Sequence, residues 1–128
     1  MSRAISASNV KLKRAYAPAS RSDGARILID RLWPRGVKKE TAQLDGWMKE
    51  IAPSTALRKW FGHAPERWPE FRRRYEPEIR KHPEQLARLR SLARADKLTL
   101  VFSARDVEHN DAVVLRQVIL GRLRTPGQ

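Results

Sequence analysis

Apolar positions along the chain follow two rhythms. Val10 to Tyr16 alternates, with Val10, Leu12, Arg14 and Tyr16 against Lys11, Lys13 and Ala15, a strand whose polar face suits the margin of a sheet. Arg26 to Leu32 and Lys97 to Ser103 are more continuously apolar, as strands covered on both faces are. Ser22-Asp23-Gly24 supplies turn chemistry between the first two strands, and Pro34 and Gly36 stop the second.

Helical spacing dominates elsewhere. Thr41 is placed to cap a helix carrying Leu44, Trp47, Met48 and Ile51, which Pro53 ends. Ser54 caps a short helix with Leu57, Trp60 and Phe61 inward, stopped by Gly62. A helix opening across Pro65 to Pro69 has Trp68, Phe71, Tyr75 and Ile79 as its buried stripe, and Pro77 should kink or end it near Tyr75. Pro83 opens another with Leu86, Leu89 and Leu92. The last runs from about Asn110 to Leu123 and buries Val114, Leu115, Val118, Ile119 and Leu123. Trp47, Trp60 and Trp68 sit among apolar neighbours and read as core.

This order predicts an α/β fold: a single small domain over residues 10–123 with a short, mostly parallel sheet flanked by helices, between a disordered N-terminal tail (1–9) and a C-terminal tail (124–128). It is not the order of a winged helix, whose hairpin follows the recognition helix. Three strands are visible. The nine-residue connection Ala17–Ala25 is short for a parallel crossover, which usually takes about a dozen residues or more, so the relation of the first two strands is open at this level.

Composition narrows the chemistry. The 128 residues suffice for a core without metal or disulfide staples. There is no cysteine, which removes thiol nucleophiles and Cys-zinc sites. The histidines are scattered and give no metal-ligand spacing, so no metal or cofactor is expected. The chain lacks a signal-peptide pattern and any long apolar run, and a cytoplasmic protein with no membrane partner is the expectation. A net charge of +13 would attract a polyanion. An arginine-rich composition, with many arginines beside glutamates on helices, explains the same number as a solvated surface.

Candidate chemistry gathers at two strand ends. If strands two and three are parallel neighbours, Asp30, Arg31, Arg35, Ser103 and Arg105 converge where open α/β sheets bind ligands. Arg31 and Arg35 offer planar cationic forks for phosphate or carboxylate, unless one pairs with Asp30. Asp30 would orient an arginine or act as a base. Trp33 would stack a planar ligand or lid the core. Ser103, Arg105, Asn110 and the N–H groups opening the last helix would add contacts to an anion, although Asp106 and Asn110 are also natural caps. His109 is the acid–base candidate on its intrinsic pKa. The expected partner is thus an anionic small molecule, with hydrolase or transferase chemistry as an extension. A nucleic-acid-binding module using Arg72, Arg73 and Arg74, and a protein–protein adaptor, are the alternatives. Oligomeric state is not legible.

The strings Ser22-Asp23-Gly24, Ile29-Asp30-Arg31-Leu32-Trp33-Pro34-Arg35-Gly36, Ile51-Ala52-Pro53-Ser54, Leu57-Arg58-Lys59-Trp60-Phe61, Phe102-Ser103-Ala104-Arg105-Asp106 and Glu108-His109-Asn110 resemble the domain of unknown function 488 family in its short, YeaO-like form, from about Leu12 to Leu123. The resemblance implies a compact α/β domain in a bacterial or archaeal cell, and a helix between the first two strands as in longer relatives. It carries over no activity. Longer relatives have cysteine at the place of Ser103 and glutamate at that of Arg105, so thiol chemistry does not transfer, and Pro69 and Pro77 depart from the short form.

Overall fold

A computed structural model describes residues 5–121. Four parallel strands, β1 (Val10–Arg14), β2 (Ala25–Leu28), β3 (Gly46–Trp47) and β4 (Leu98–Phe102), form one sheet in the order β1-β4-β2-β3. The helices are α1 (Lys39–Ala42), α2 (Thr55–Phe61), α3 (Trp68–Arg80), α4 (Pro83–Ala95) and α5 (Asp111–Ile119). The α/β expectation stands, and β4 is the central strand, buried at every residue.

Alternation along the strands divides the core. Ile27, Ile29, Leu98, Leu100 and Phe102 join the larger cluster with residues of α2 to α5. Leu28 and Val101 face the other way, onto Ala15, Trp33, Leu44 and Trp47. On that face the buried Arg26 donates to the carbonyl of Ala42 at the end of α1.

The β1–β2 connection resolves the crossover problem. The two strands are not adjacent; both pair with β4. The connection contains only a 3-10 turn, Arg21–Asp23, so the helix implied by longer relatives is absent here. Ten residues reach about 33 Å when extended, enough to return along a short strand and pass one neighbour. Buried Asp23 anchors this path: its carboxylate accepts from Lys11, Lys13 and Arg26 at 3.1, 2.9 and 2.6 Å, and Thr99 donates to its carbonyl. Gly24 (φ +64) lies where a Cβ would meet the Lys97 carbonyl at 2.1 Å.

Two expectations fail for identifiable reasons. The helix through Leu44, Trp47, Met48 and Ile51 does not form. Gln43 takes a left-handed conformation and ends α1 after one turn, and Gly46–Trp47 adds an edge strand to β2. The apolar spacing that mimics a helix is split between faces: Trp47 packs on the loop side while Met48 and Ile51 enter the helical core. Pro77 also does not end its helix; α3 runs unbroken to Arg80. Pro77 is exposed, whereas Tyr75, Glu76 and Ile79 around it are buried, so packing offsets the roughly 3 kcal/mol an internal proline costs.

The Ser54 hydroxyl accepts from Leu57 N–H and Gly62 closes α2 at φ 55, while Pro83 opens α4. Trp47, Trp60 and Trp68 are half-buried rather than fully buried core. Of the N-terminal segment, Ala7–Asn9 forms a 3-10 turn, Asn9 donates to the Ala93 carbonyl and Ile5 packs on the core, so 5–9 is anchored rather than loose. Residues 1–4, Leu123 and the 124–128 tail lie outside the described residues.

Candidate functional site

Register brings the two candidate strand ends together. Leu28 pairs with Val101 in β2–β4, and Ile29 N–H continues the pairing to the Val101 carbonyl. The same offset sets Asp30 level with Ser103. One Asp30 carboxylate oxygen accepts from the Ser103 N–H at 2.8 Å and from its hydroxyl at 2.7 Å. Trp47 fixes the bend by donating its indole N–H to the Asp30 carbonyl at 2.7 Å.

Asp111, the first residue of α5, brings a second carboxyl against Asp30. Burial, then the Asp30 charge and a hydrogen bond with Asp30, push the Asp111 carboxyl well above the usual aspartate range. The pair therefore holds a proton where an exposed aspartate would have lost it. No spacing in the sequence pairs these residues. Both line a cleft of about 410 Å³ at the carboxyl end of the sheet. Below it, Tyr75 donates its hydroxyl to the Ile51 carbonyl at 2.7 Å, and its burial raises the phenol's pKa far above the usual value.

The arginines separate into two groups. Arg31 lines the cleft but is engaged by the backbone, its Nε and Nη2 donating to the carbonyls of Pro53 and Ala52 at 3.3 and 3.2 Å. The strand has already ended at Leu28, which frees Arg31 to turn onto the 51–54 loop. That loop is also held by Glu78, which accepts from Ser54 N–H and Oγ–H. Arg35 lines the cleft, and Arg58, which strand-end reasoning overlooked because it lies on α2, lines it too. Arg105 does not share this cleft. It lines a shallower neighbouring recess with Arg14, Tyr16, Arg35 and Ser103. The guanidinium groups of Arg35, Arg58 and Arg105 have no hydrogen-bond or ion-pair partner among the described residues.

Other candidates are placed as follows. Asn110 caps α5, its Oδ1 accepting from Val113 N–H and its Nδ2 donating to the Asp106 carbonyl, and it also lines the cleft. Trp33 donates to the Val37 carbonyl at 2.8 Å and sets its ring edge-on to Trp47, so it closes the loop-side core while still lining the cleft. His109 reaches the cleft with Nδ1 2.9 Å from Asp106 and its ring edge-on to Trp68. Asp106 also accepts from the N–H groups of Glu108 and His109, and those hydrogen bonds, first that of Glu108, hold its pKa below the usual value. His63, at φ 58 beyond Gly62, also lines the cleft.

The basic run on α3 is internally engaged. Arg73 and Arg74 both bind Glu70, and Arg72 donates to Gln117 at 2.9 Å. Among the described residues no group of three or more His, Cys, Asp or Glu could hold a metal, and no helix is long and apolar enough to cross a membrane.

Residues 9–127 match the model of a family described as the inactive DUF488-N3 subclade. The uncharacterized protein YeaO of Escherichia coli is 48% identical over 107 residues, covering 84% of this chain and 93% of its own. The uncharacterized protein Rv3073c of Mycobacterium tuberculosis is 40% identical over 113 residues, covering 88% and 95%. No solved structure matches the chain.

Proposed function

Since the chain belongs to the DUF488 family, in the subclade described as inactive, we propose that it binds a phosphate- or carboxylate-bearing small molecule in this cleft without turning it over. One observation carries the reading: Arg35 and Arg58 present unpartnered guanidinium groups to one cavity. Such forks suit anionic oxygens. The raised pKa of Asp111 lessens the negative charge that Asp30 and Asp111 would otherwise set against an incoming anion. The Ser103 hydroxyl supports the site by fixing Asp30 rather than by attacking a substrate. The word inactive in the family's description favours binding over the hydrolase or transferase reading.

The test is thermal unfolding of the full chain at low ionic strength with sulfate, phosphate or citrate. Binding of the native state raises the melting temperature as ligand exceeds its dissociation constant. Arg35→Ala/Arg58→Ala should remove the rise while leaving the anion-free melting temperature unchanged. An equal rise in the double variant, or none in the wild type, refutes the reading.

A further inference from the structure

Three large apolar side chains are exposed among the described residues: Tyr16 at 48%, Leu32 at 61% and Val107 at 57%. Scattered exposed apolar residues need no explanation. These three instead stand on the chain segments that leave the carboxyl ends of β1, β2 and β4, neighbours in one parallel sheet, and Tyr16 and Leu32 lie at the mouth of the cleft.

Tyr16 is also held still. Its hydroxyl donates to the Arg35 carbonyl at 3.0 Å, and the Arg14 guanidinium lies 4.9 Å from its ring centroid. Arg14 is fastened in turn to the carbonyls of Ala104 and Ser103 at 2.9 and 3.2 Å. An exposed aromatic ordered in advance loses little freedom when a partner covers it.

Resting on the anion-binding reading above, we propose that this rim docks an acidic segment of another protein, whose apolar side chains cover Tyr16, Leu32 and Val107 while one of its carboxylates enters the cleft. Charge complementarity selects the occupant. Arg35, Arg58 and Arg105 stand unpartnered at this end on a chain of net charge +13, and exposed apolar side chains at the same end of the sheet as free cations match a segment that alternates carboxylates with aliphatic or aromatic residues. A nucleic acid answers the charge less well, because Leu32 and Val107 offer no ring for a base to stack on and Arg14 sits over the Tyr16 ring.

The experiment selects a displayed random-peptide library on the immobilised full chain and, in parallel, on the Leu32→Ser/Val107→Ser variant. The wild type should enrich peptides with Asp or Glu next to aliphatic or aromatic residues. The variant should bind those peptides about tenfold more weakly or worse and keep the sulfate-induced melting shift. Absence of acidic–apolar enrichment on the wild type overturns the proposal, as does undiminished peptide affinity in the variant. Displacement of a selected peptide by a single-stranded oligonucleotide of equal charge, but not by polyglutamate, would hand the rim to nucleic acid. A sulfate shift that persists while peptides fail removes the docking surface alone; loss of both removes the cleft reading as well.

Discussion

Asp30 and Ser103, separated by 73 residues, meet at the ends of adjacent parallel strands, and a single carboxylate oxygen takes both the backbone N–H and the hydroxyl of the serine. The contact ties the two strand ends into one rigid floor for the cleft. Ser103→Ala removes the hydroxyl bond and keeps the backbone one. It should cost about 1–2 kcal/mol of stability, read from urea unfolding with an unchanged slope. A cost near zero would mean that the hydroxyl bond contributes nothing.

Asp111 predicts a pH dependence of definite sign. Its folded pKa lies above the unfolded one, first because of burial and then because of Asp30, so the native state binds the extra proton. Its contribution to stability therefore declines as pH rises from about 3.9 through the raised folded value. Asp111→Asn keeps a neutral hydrogen-bonding group. The melting temperature of the variant relative to wild type should climb across that window and then level off. A pH-independent difference would contradict a shared proton.

Asp23 behaves in the opposite sense. Burial opposes its ionisation, yet hydrogen bonds from Lys13 and Lys11, the Ser20 N–H and Arg26 prevail and hold its pKa far below the ordinary value. The stability it supplies is present above the unfolded pKa and lost as pH falls through the folded one. Asp23→Ala strands the buried Arg26 and should cost about 3–5 kcal/mol. Circular dichroism of the variant at neutral pH should show a melting temperature well below wild type.

Arg31 and Arg35 should respond differently although they are four residues apart. Arg31→Ala frees the carbonyls of Ala52 and Pro53 and should destabilise by about 1–3 kcal/mol. Arg35→Ala should leave stability within about 0.5 kcal/mol and weaken anion binding. Chemical denaturation of both variants, with and without sulfate, checks the split.

The chain itself specifies much of this protein. Continuous apolar runs mark β2 and β4 because strands buried on both faces cannot alternate. Ser54, Gly62, Pro83 and Asn110 mark helix ends because local hydrogen bonding and backbone geometry act within a few residues. Arg35 and Ser103 could be picked out as cleft candidates for the same reason, since both follow recognisable strands. What needed three dimensions is non-local. The edge strand Gly46–Trp47 exists only because β2 offers it a partner, and a helix-like spacing concealed it. Pro77 survives in a helix because the buried residues before and after it, Tyr75 and Ile79, hold the helix against the core. Arg31 turned inward, Arg58 joined the site from α2, and Asp111 gained its proton because Asp30 lies beside it. A side chain's environment is set by what packs against it, and sequence distance carries no information about that.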